Sequence, residues 1–208
     1  MGDSTVADGS GWGRGFRKFL TTDAECINAA LNGRSSKSFR DEGHWEPALA
    51  LKGDYYLIQF GHNDQPGKGP KRETDPKTTF AQNMARYVDE VRAIGAQPVL
   101  VTSLTRRIFD PAHPGKIRST LVPYVEAVKA VAAEKHVPLI DLHARSIEYC
   151  ERLGPVKTAK LNPISKAGIP DTTHLDAAGS VIFAGIVVEE LRRVVPALAP
   201  ALRTEPAP

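Results

Sequence analysis

The sequence predicts an α/β protein in which helices cover both faces of a parallel sheet. Two observations lead to this class. Apolar, β-rich segments alternate with segments whose apolar residues recur every three or four positions, and loops containing glycine or proline join them. Such alternation is typical of parallel sheets, in which ligands meet the loops at the carboxyl ends of the strands. The 208 residues suffice for one domain with a sizeable core.

Four segments are predicted to be strands. The clearest, 54–60, is apolar and stops at Gly61, whereas 24–30 alternates poorly and is interpreted as a buried strand that ends near Gly33. The other two are 97–104 and 137–142. Helical spacing of apolar residues, or a serine cap, predicts helices over 16–20, 35–42, 45–51, 78–94, 119–135, 144–152 and 175–195. One domain is predicted over 1–195, followed by an alanine- and proline-rich tail, 196–208, expected to be frayed.

Composition and charge exclude several classes of function. The hydrophobic share of 41% and the charged share of 25% are those of an ordinary globular protein. The formal net charge is only +3 and no basic run or basic-aromatic patch occurs, so no nucleic-acid partner is expected. No apolar run approaches the roughly 20 residues of a membrane span, so no membrane partner is expected either. The oligomeric state is left open.

The stretch Gly2-Asp3-Ser4-Thr5-Val6 opens the chain with a candidate nucleophile, Ser4. A serine hydroxyl is a poor nucleophile at neutral pH. It needs a base, a group that orients the base, and donors for the oxyanion that develops during attack. A Gly-Asp-Ser tripeptide by itself is usually only a turn. The functional interpretation therefore depends on whether the other parts follow in the sequence.

Candidates for those parts lie in three later loops. Asp171 and His174, just ahead of the predicted helix 175–195, can supply the orienting carboxylate and the base. Asn63, after strand 54–60, offers a neutral amide donor, and Gly33 offers a backbone N–H on a permissive residue. Each alone is more often a turn, capping or surface residue. Their occurrence together, in order after successive strands, favours a hydrolytic site.

A second Asp-x-x-His pair, Asp110 and His113, also follows a predicted strand. Its prolines, Pro111 and Pro114, set the backbone differently, and the next helix begins several residues later. The pair at 171–174 runs almost directly into a helix, which gives both side chains a rigid support. We therefore assign the catalytic role to the second pair.

Four sequence blocks, in this order, resemble those of the SGNH (GDSL-like) hydrolases. The blocks are Gly-Asp-Ser-Thr-Val, Asn-Gly-Arg-Ser-Ser-Lys-Ser-Phe, Gln-Phe-Gly-His-Asn-Asp and Asp-Thr-Thr-His, and their wording is similar to the rhamnogalacturonan acetylesterase branch. The resemblance reaches from the start of the chain to about residue 195. It implies a three-layer α/β/α fold with a flavodoxin-like parallel sheet, and an esterase that removes acetyl groups from esterified pectic carbohydrate.

The resemblance also implies roles for individual residues. Ser4 is the nucleophile, His174 the base and Asp171 its orienter, and the backbone N–H groups of Ser4 and Gly33 join the Asn63 amide in the oxyanion hole. No metal and no organic cofactor are expected. The partner is an acetylated carbohydrate. Four residues beside the motifs are candidate substrate contacts, for which packing or loop capping is an equally common role: Trp12, Arg34, His62 and Thr173.

Two other functions stay open from the sequence. A lysophospholipase or thioesterase of the same superfamily would keep every catalytic residue and differ in its acyl pocket. A non-catalytic carbohydrate-binding relative is the alternative from a different class. Kinetics on nitrophenyl esters of different acyl length would distinguish a lysophospholipase or thioesterase from an acetylesterase. An assay for acetate release would decide whether the protein is a non-catalytic binding relative.

The start of the chain carries a further expectation. In the resembled family an apolar strand runs directly into the Gly-Asp-Ser turn, between the strands that end near Gly33 and Gly61, but only Met1 precedes Gly2 here. The first strand is therefore expected to be missing, with a loss of stability. If a lost upstream segment carried a signal peptide, the protein would be secreted or periplasmic; as given, it would be cytoplasmic.

Overall fold

In the computed structural model of the protein, which describes residues 1–207, three parallel strands form one sheet in the order β1-β2-β3. Tyr55 of β1 pairs with Gln97 of β2, and Leu100 of β2 pairs with Leu139 of β3. Ile58 of β1 is completely buried, as are most residues of β2. These strands are β1 (Tyr55–Ile58), β2 (Gln97–Val101) and β3 (Leu139–Ile140).

Eight α-helices lie along the described residues, and two short 3-10 segments, Arg17–Phe19 and Pro196–Ala201, follow α1 and α8. Six of the seven predicted helices are confirmed with shifts of a few residues at their ends. The helix predicted at 16–20 is mainly the 3-10 segment that follows α1, and the sequence did not predict α7. The helices are α1 (Gly13–Phe16), α2 (Ser38–Asp41), α3 (Trp45–Ala50), α4 (Thr79–Ala93), α5 (Val122–Lys135), α6 (Leu142–Leu153), α7 (Pro155–Ala159) and α8 (Ala177–Val194). The predicted α/β class with a parallel sheet is confirmed.

The chain divides into two compact units. The first, called the sheet unit here, consists of Met1–Asp3, Ala29–Ser103 and Leu121–Ile140 and contains all three strands. The second, called the helical unit, consists of Ser4–Asn28, Leu104–Thr120 and the described chain from Asp141 onward. The sequence-based division at residue 195 stays a prediction.

Aromatic residues from α2, α3 and α4 form the core of the sheet unit. Trp45 and Tyr87 pack edge to face with ring centroids 4.8 Å apart, and Phe60 stacks on Tyr87 at 5.5 Å. Apolar residues of α4 and α5 complete this core against the strands. The amphipathic spacing predicted for 78–94 therefore marks the buried face of α4 correctly, and Gly95, with φ of 82°, follows the end of this helix.

The segment at 24–30 does not form the predicted strand. Ile27, its predicted apolar centre, is 55% exposed, and the side-chain amide of Asn28 donates to Val6 O and to Asp8. Side-chain hydrogen bonds replace a strand ladder there. Further on, Leu31 N donates to the carbonyl of Gly2, which in turn forms an isolated parallel bridge with Gln59.

In the helical unit, α1 packs closely against α8. A Cβ at Gly15 would lie 2.3 Å from the backbone oxygen of Ser180, so only glycine fits at this crossing. The Ser180 hydroxyl accepts from Gly15 N and donates to Gly11 O. These bonds join the loop that follows Ser4 to the helix that follows His174.

The described part of the predicted tail is not frayed. Leu202 is buried and bridges Leu20, and Arg203 N and Ala207 N donate to backbone carbonyls of the 3-10 segment Arg17–Phe19. The prediction of a frayed tail, which was based on alanine and proline content, is wrong. The segment folds as a 3-10 helix, and the residues after it pair with the chain near Leu20. No helix within residues 1–207 is both long and apolar enough to cross a membrane.

Candidate active site

Ser4 lies in a tight turn at the start of the helical unit and is 8% exposed. Two backbone bonds hold the following loop, from Trp12 N to Thr5 O at 3.0 Å and from Gly13 N to Val6 O at 3.0 Å. The Ser10 hydroxyl donates to the carbonyl oxygen of Ser4 at 2.7 Å. The nucleophile candidate is therefore fixed at its backbone, and its Oγ can bond elsewhere.

His174 reaches Ser4 although 170 positions separate them in the sequence. Its Nε2 lies 2.8 Å from Ser4 Oγ, and its Nδ1 lies 2.7 Å from Asp171 Oδ2. Both distances are those of good hydrogen bonds. The structure thus brings together the three predicted residues in the order serine, histidine, aspartate.

The aspartate is held by its own turn. Asp171 Oδ1 accepts from the backbone N–H groups of Thr173 at 2.8 Å and His174 at 3.0 Å, which leaves Oδ2 for the imidazole. Partial burial raises the pKa of Asp171, but the hydrogen bonds from the His174 ring and from these two N–H groups outweigh it, so the pKa lies below its ordinary value. Asp171 therefore stays an anion at neutral pH.

Two further contacts connect this turn to its surroundings within the helical unit. Leu175 N donates to Ser10 O at 2.9 Å, which ties the residue after His174 to the loop that holds Ser4. Asp176 caps α8 by accepting from Gly179 N at 2.7 Å. The predicted rigid support for the pair is therefore an N-terminal helix cap.

The second Asp-x-x-His pair forms the same side-chain bond without a serine. His113 Nδ1 lies 2.9 Å from Asp110 Oδ2, but the His113 side chain is 74% exposed, and the bond is closed within its own turn. The choice of 171–174 over 110–113 is consistent with this geometry. The exposed pair offers a matched control for mutagenesis.

Gly33 and Asn63 lie in the sheet unit. Gly33 has φ of 77°, a conformation that favours glycine. Asn63 is 7% exposed, and its Nδ2 donates to Arg34 O at 3.1 Å. A side-chain amide has two N–H donors, so this bond fixes the group and uses one of them. Their assignment to the oxyanion hole stays a prediction.

A buried carboxylate that sequence reasoning did not single out joins the loops of these two residues. The Asp64 carboxylate accepts hydrogen bonds from Ser36 Oγ at 2.5 Å, from Ser36 N at 3.1 Å and from Thr74 Oγ1 at 2.9 Å. Burial raises the pKa of Asp64 to about 7, with a smaller contribution from nearby Asp3, although the hydroxyl and amide donors act in the opposite direction. The only signal in the sequence was its place directly after Asn63.

The four candidate substrate contacts differ in exposure. Trp12 and His62 are each 3% exposed, Trp12 packing edge-on against Phe16, so both side chains fit the packing role better. Arg34 forms an ion pair with Glu42 at 2.8 Å. Thr173 is half-buried beside the Asp171–His174 pair and stays a candidate.

Comparisons with known proteins agree on one family. The family model of the GDSL-like lipases and acylhydrolases matches residues 1–182. The chain is 38% identical to the rhamnogalacturonan acetylesterase RhgT of Bacillus subtilis, over 93% of this chain and 88% of that protein. It is 34% identical to the probable rhamnogalacturonan acetylesterase YesY of the same organism, over 93% and 91%.

A solved structure supports the fold as well. The crystal structure of the Bacillus subtilis protein YxiM superposes with a TM-score of 0.79 and 30% sequence identity, covering 92% of this chain and 55% of that one. The similarity therefore extends over nearly all of the chain.

Proposed function

The chain belongs to the GDSL-like lipase and acylhydrolase family, and from this premise we propose that it is a serine esterase that removes acetyl groups from esterified carbohydrate. Relatives at 38% and 34% identity bear the name rhamnogalacturonan acetylesterase, so acetylated rhamnogalacturonan is the proposed substrate. Fold alone would not identify the reaction, because one fold hosts many activities.

One observation carries the proposal: the hydrogen-bonded series from Ser4 Oγ through the His174 imidazole to the Asp171 carboxylate. Bond lengths of 2.8 and 2.7 Å are those that proton transfer to a positioned base requires. The lowered pKa of Asp171 keeps a negative charge beside Nδ1. This charge favours the tautomer with the proton on Nδ1 and leaves Nε2 free to accept.

In the acylation step, Ser4 Oγ attacks the acetyl carbonyl carbon while His174 Nε2 takes the hydroxyl proton. The tetrahedral intermediate collapses as the same Nε2 returns the proton to the departing sugar oxygen. An acetyl group is then bound to Ser4, and the carbohydrate hydroxyl is released. In the second half, His174 Nε2 takes a proton from water as the water oxygen attacks the acetyl carbonyl carbon, and it then returns this proton to Ser4 Oγ as the acyl–oxygen bond breaks and acetate leaves.

The carbonyl oxygen becomes negative in both halves and needs donors. We propose the backbone N–H groups of Ser4 and Gly33 and the second N–H of the Asn63 side chain. A neutral amide stabilises an oxyanion without adding charge to the ground state. The bond from Asn63 Nδ2 to Arg34 O supports this role because it fixes the amide before substrate arrives.

The test is acetate release from acetylated rhamnogalacturonan, with acetylated xylan as the comparison polymer. A series of nitrophenyl esters from acetate to longer acyl chains tests the acyl preference in parallel. We expect acetate from the pectic polymer and a rate that falls as the acyl chain lengthens. A preference for long acyl esters with no release from either polymer would favour a lipase-like or thioesterase-like activity instead.

A further inference from the structure

Arg107 is a buried arginine in the loop that follows β2, only 3% exposed. Neither the motifs nor the family resemblance pointed to it. Its backbone N–H donates to Thr172 O at 2.9 Å, in the turn that carries Asp171 and His174. The side chain extends into the same turn.

The guanidinium group of Arg107 bonds the three other carbonyls of that turn. Nη2 donates to Asp171 O at 3.3 Å and also to His174 O, and Nη1 donates to Thr173 O at 3.5 Å. One residue therefore donates to four consecutive carbonyl oxygens, those of residues 171–174. The third nitrogen of the guanidinium group, Nε, donates to Asn162 Oδ1 at 2.5 Å.

Burying a cation is unfavourable unless its N–H donors find acceptors, and here backbone carbonyl oxygens accept them. Burial lowers the pKa of Arg107 to about 10, which still leaves the guanidinium charged at neutral pH. The planar fork has fixed donor directions that a lysine ammonium lacks. A buried arginine is an unfavourable way merely to fill space. Its donors here converge on one backbone segment and fix the path of that segment.

We propose that Arg107 is a positioning residue that holds the Asp171–His174 turn in the conformation in which His174 reaches Ser4. The inference rests on the proposed function, since the geometry matters through the nucleophile. A base displaced by about 1 Å loses on the order of 100-fold in rate. Asp171 and His174 bond each other locally, so the pair alone does not fix where the turn lies.

The test measures how fast a fluorophosphonate labels Ser4. In this reaction the Ser4 Oγ–P bond forms, the P–F bond breaks, fluoride leaves, and His174 takes the hydroxyl proton. The rate reports the geometry of the serine and its base and does not depend on which ester is the natural substrate. Arg107→Ala is compared with Arg106→Ala, its neighbour, which is half-buried and donates to Thr120 Oγ1 at 3.3 Å.

We expect Arg107→Ala to slow labelling about 100-fold, with most of the loss in the first-order step and little in probe affinity. Millimolar guanidinium, far below denaturing concentrations, should restore part of the rate in Arg107→Ala only. Arg106→Ala should behave as wild type. If Arg107→Ala fails to fold, Arg107→Lys, which keeps the charge without the planar fork, should fold and label slowly.

Two results would overturn the inference. One is wild-type labelling in a folded Arg107→Ala or Arg107→Lys protein. The other is a folded, slow Arg107→Ala protein that guanidinium does not rescue, which would reduce Arg107 to a general stabilising residue. Failure of the proposed function gives a different result, in which wild type labels at Ser4 but releases no acetate. A wild-type protein that does not label would remove the triad and this inference together.

Discussion

His174 and His113 each follow an aspartate by three positions and each bond that aspartate through Nδ1. The difference is at the other ring nitrogen, since Nε2 of His174 meets Ser4 Oγ at 2.8 Å. His113 is mostly exposed. The residue pattern Asp-x-x-His thus identifies a bonded pair, and only the position of the turn decides whether that pair is chemically useful.

The first prediction uses this contrast. His174→Ala should abolish esterase turnover because it removes the imidazole that bonds Ser4 Oγ and takes its proton, while thermal stability changes little. His113→Ala should leave turnover unchanged. Steady-state kinetics on nitrophenyl acetate and a melting curve for each variant provide the measurement. Loss of turnover in His113→Ala with normal turnover in His174→Ala would show that the base belongs to the pair at 110–113.

A second prediction concerns the oxyanion. Asn63→Ala should slow turnover by about 100- to 1000-fold, the cost of losing a side-chain donor in another hydrolase. The effect should fall mainly on kcat because the donor acts on charge that develops during the reaction. Asn63→Asp should be slower still, since a carboxylate repels the oxyanion. Equal rates for Asn63→Asp and wild type would remove Asn63 from the hole.

The sequence could supply Ser4, Asp171, His174 and Asn63 because each lies in a short block whose residue types suit the chemistry. It could not supply Arg107 or Asp64. Arg107 acts on carbonyls 64 to 67 positions away, and Asp64 binds a serine 28 positions away. Such roles exist only in the folded chain, and nothing local in the sequence marks them.

At the scale of elements, Asp64 ties together the loops after Gly33 and after β1 through Ser36 and Thr74. The pKa of its carboxyl is raised from an ordinary value of about 4 to about 7 in the folded protein. The folded state therefore binds this proton more tightly than the unfolded state does. Its contribution to stability is complete below about pH 4 and is lost as the pH rises to about 7.

The third prediction follows from that sign. The free energy of unfolding of wild type should fall between about pH 4 and about pH 7 because Asp64 loses its proton there. Asp64→Asn cannot lose a proton at this site, so its free energy of unfolding should fall less over the same range. Denaturant unfolding at several pH values measures it. Asp41→Asn, at an exposed aspartate paired with Lys37, is the control and should keep the wild-type slope. Identical slopes for Asp64→Asn and wild type would contradict the assigned proton.

The contact between α1 and α8 gives a fourth prediction. Gly15→Ala should destabilise the protein by roughly 1–3 kcal/mol, the usual cost of overpacking, because the added methyl would meet the Ser180 backbone at 2.3 Å. Gly9→Ala is the matched control, since a Cβ there has nothing within 4 Å. Urea unfolding of both variants measures the difference, and a Gly15→Ala protein as stable as Gly9→Ala would contradict the close packing.

Helices with a clear run of apolar residues or a cap were predictable, whereas the irregular segments at 24–30 and 196–207 were not. The spacing of apolar residues in α4 and α8 reflects a face that is buried in the structure. The segment 24–30 has no such pattern, and its backbone follows side-chain bonds instead of a ladder. Residues 196–207 looked like a frayed tail because composition records no tertiary contact, yet Leu202 is buried.

At the scale of the whole molecule, the alternation of strands and helices correctly predicted an α/β chain with a parallel sheet. The family match covers residues 1–182 and the relative RhgT aligns over 93% of the chain. Family membership limits the reaction to acyl transfer, and the choice of carbohydrate comes from the relatives. The reaction itself has to be tested at Ser4.

The most direct measurement is the rate of acetate release from acetylated rhamnogalacturonan by wild type, Ser4→Ala and Ser119→Ala, each shown to be folded by its melting curve. Ser119 is a half-buried serine of the same unit that serves as the control. The account predicts that wild type and Ser119→Ala release acetate at equal rates while Ser4→Ala falls to the uncatalysed background. Acetate release by folded Ser4→Ala at the wild-type rate would contradict it.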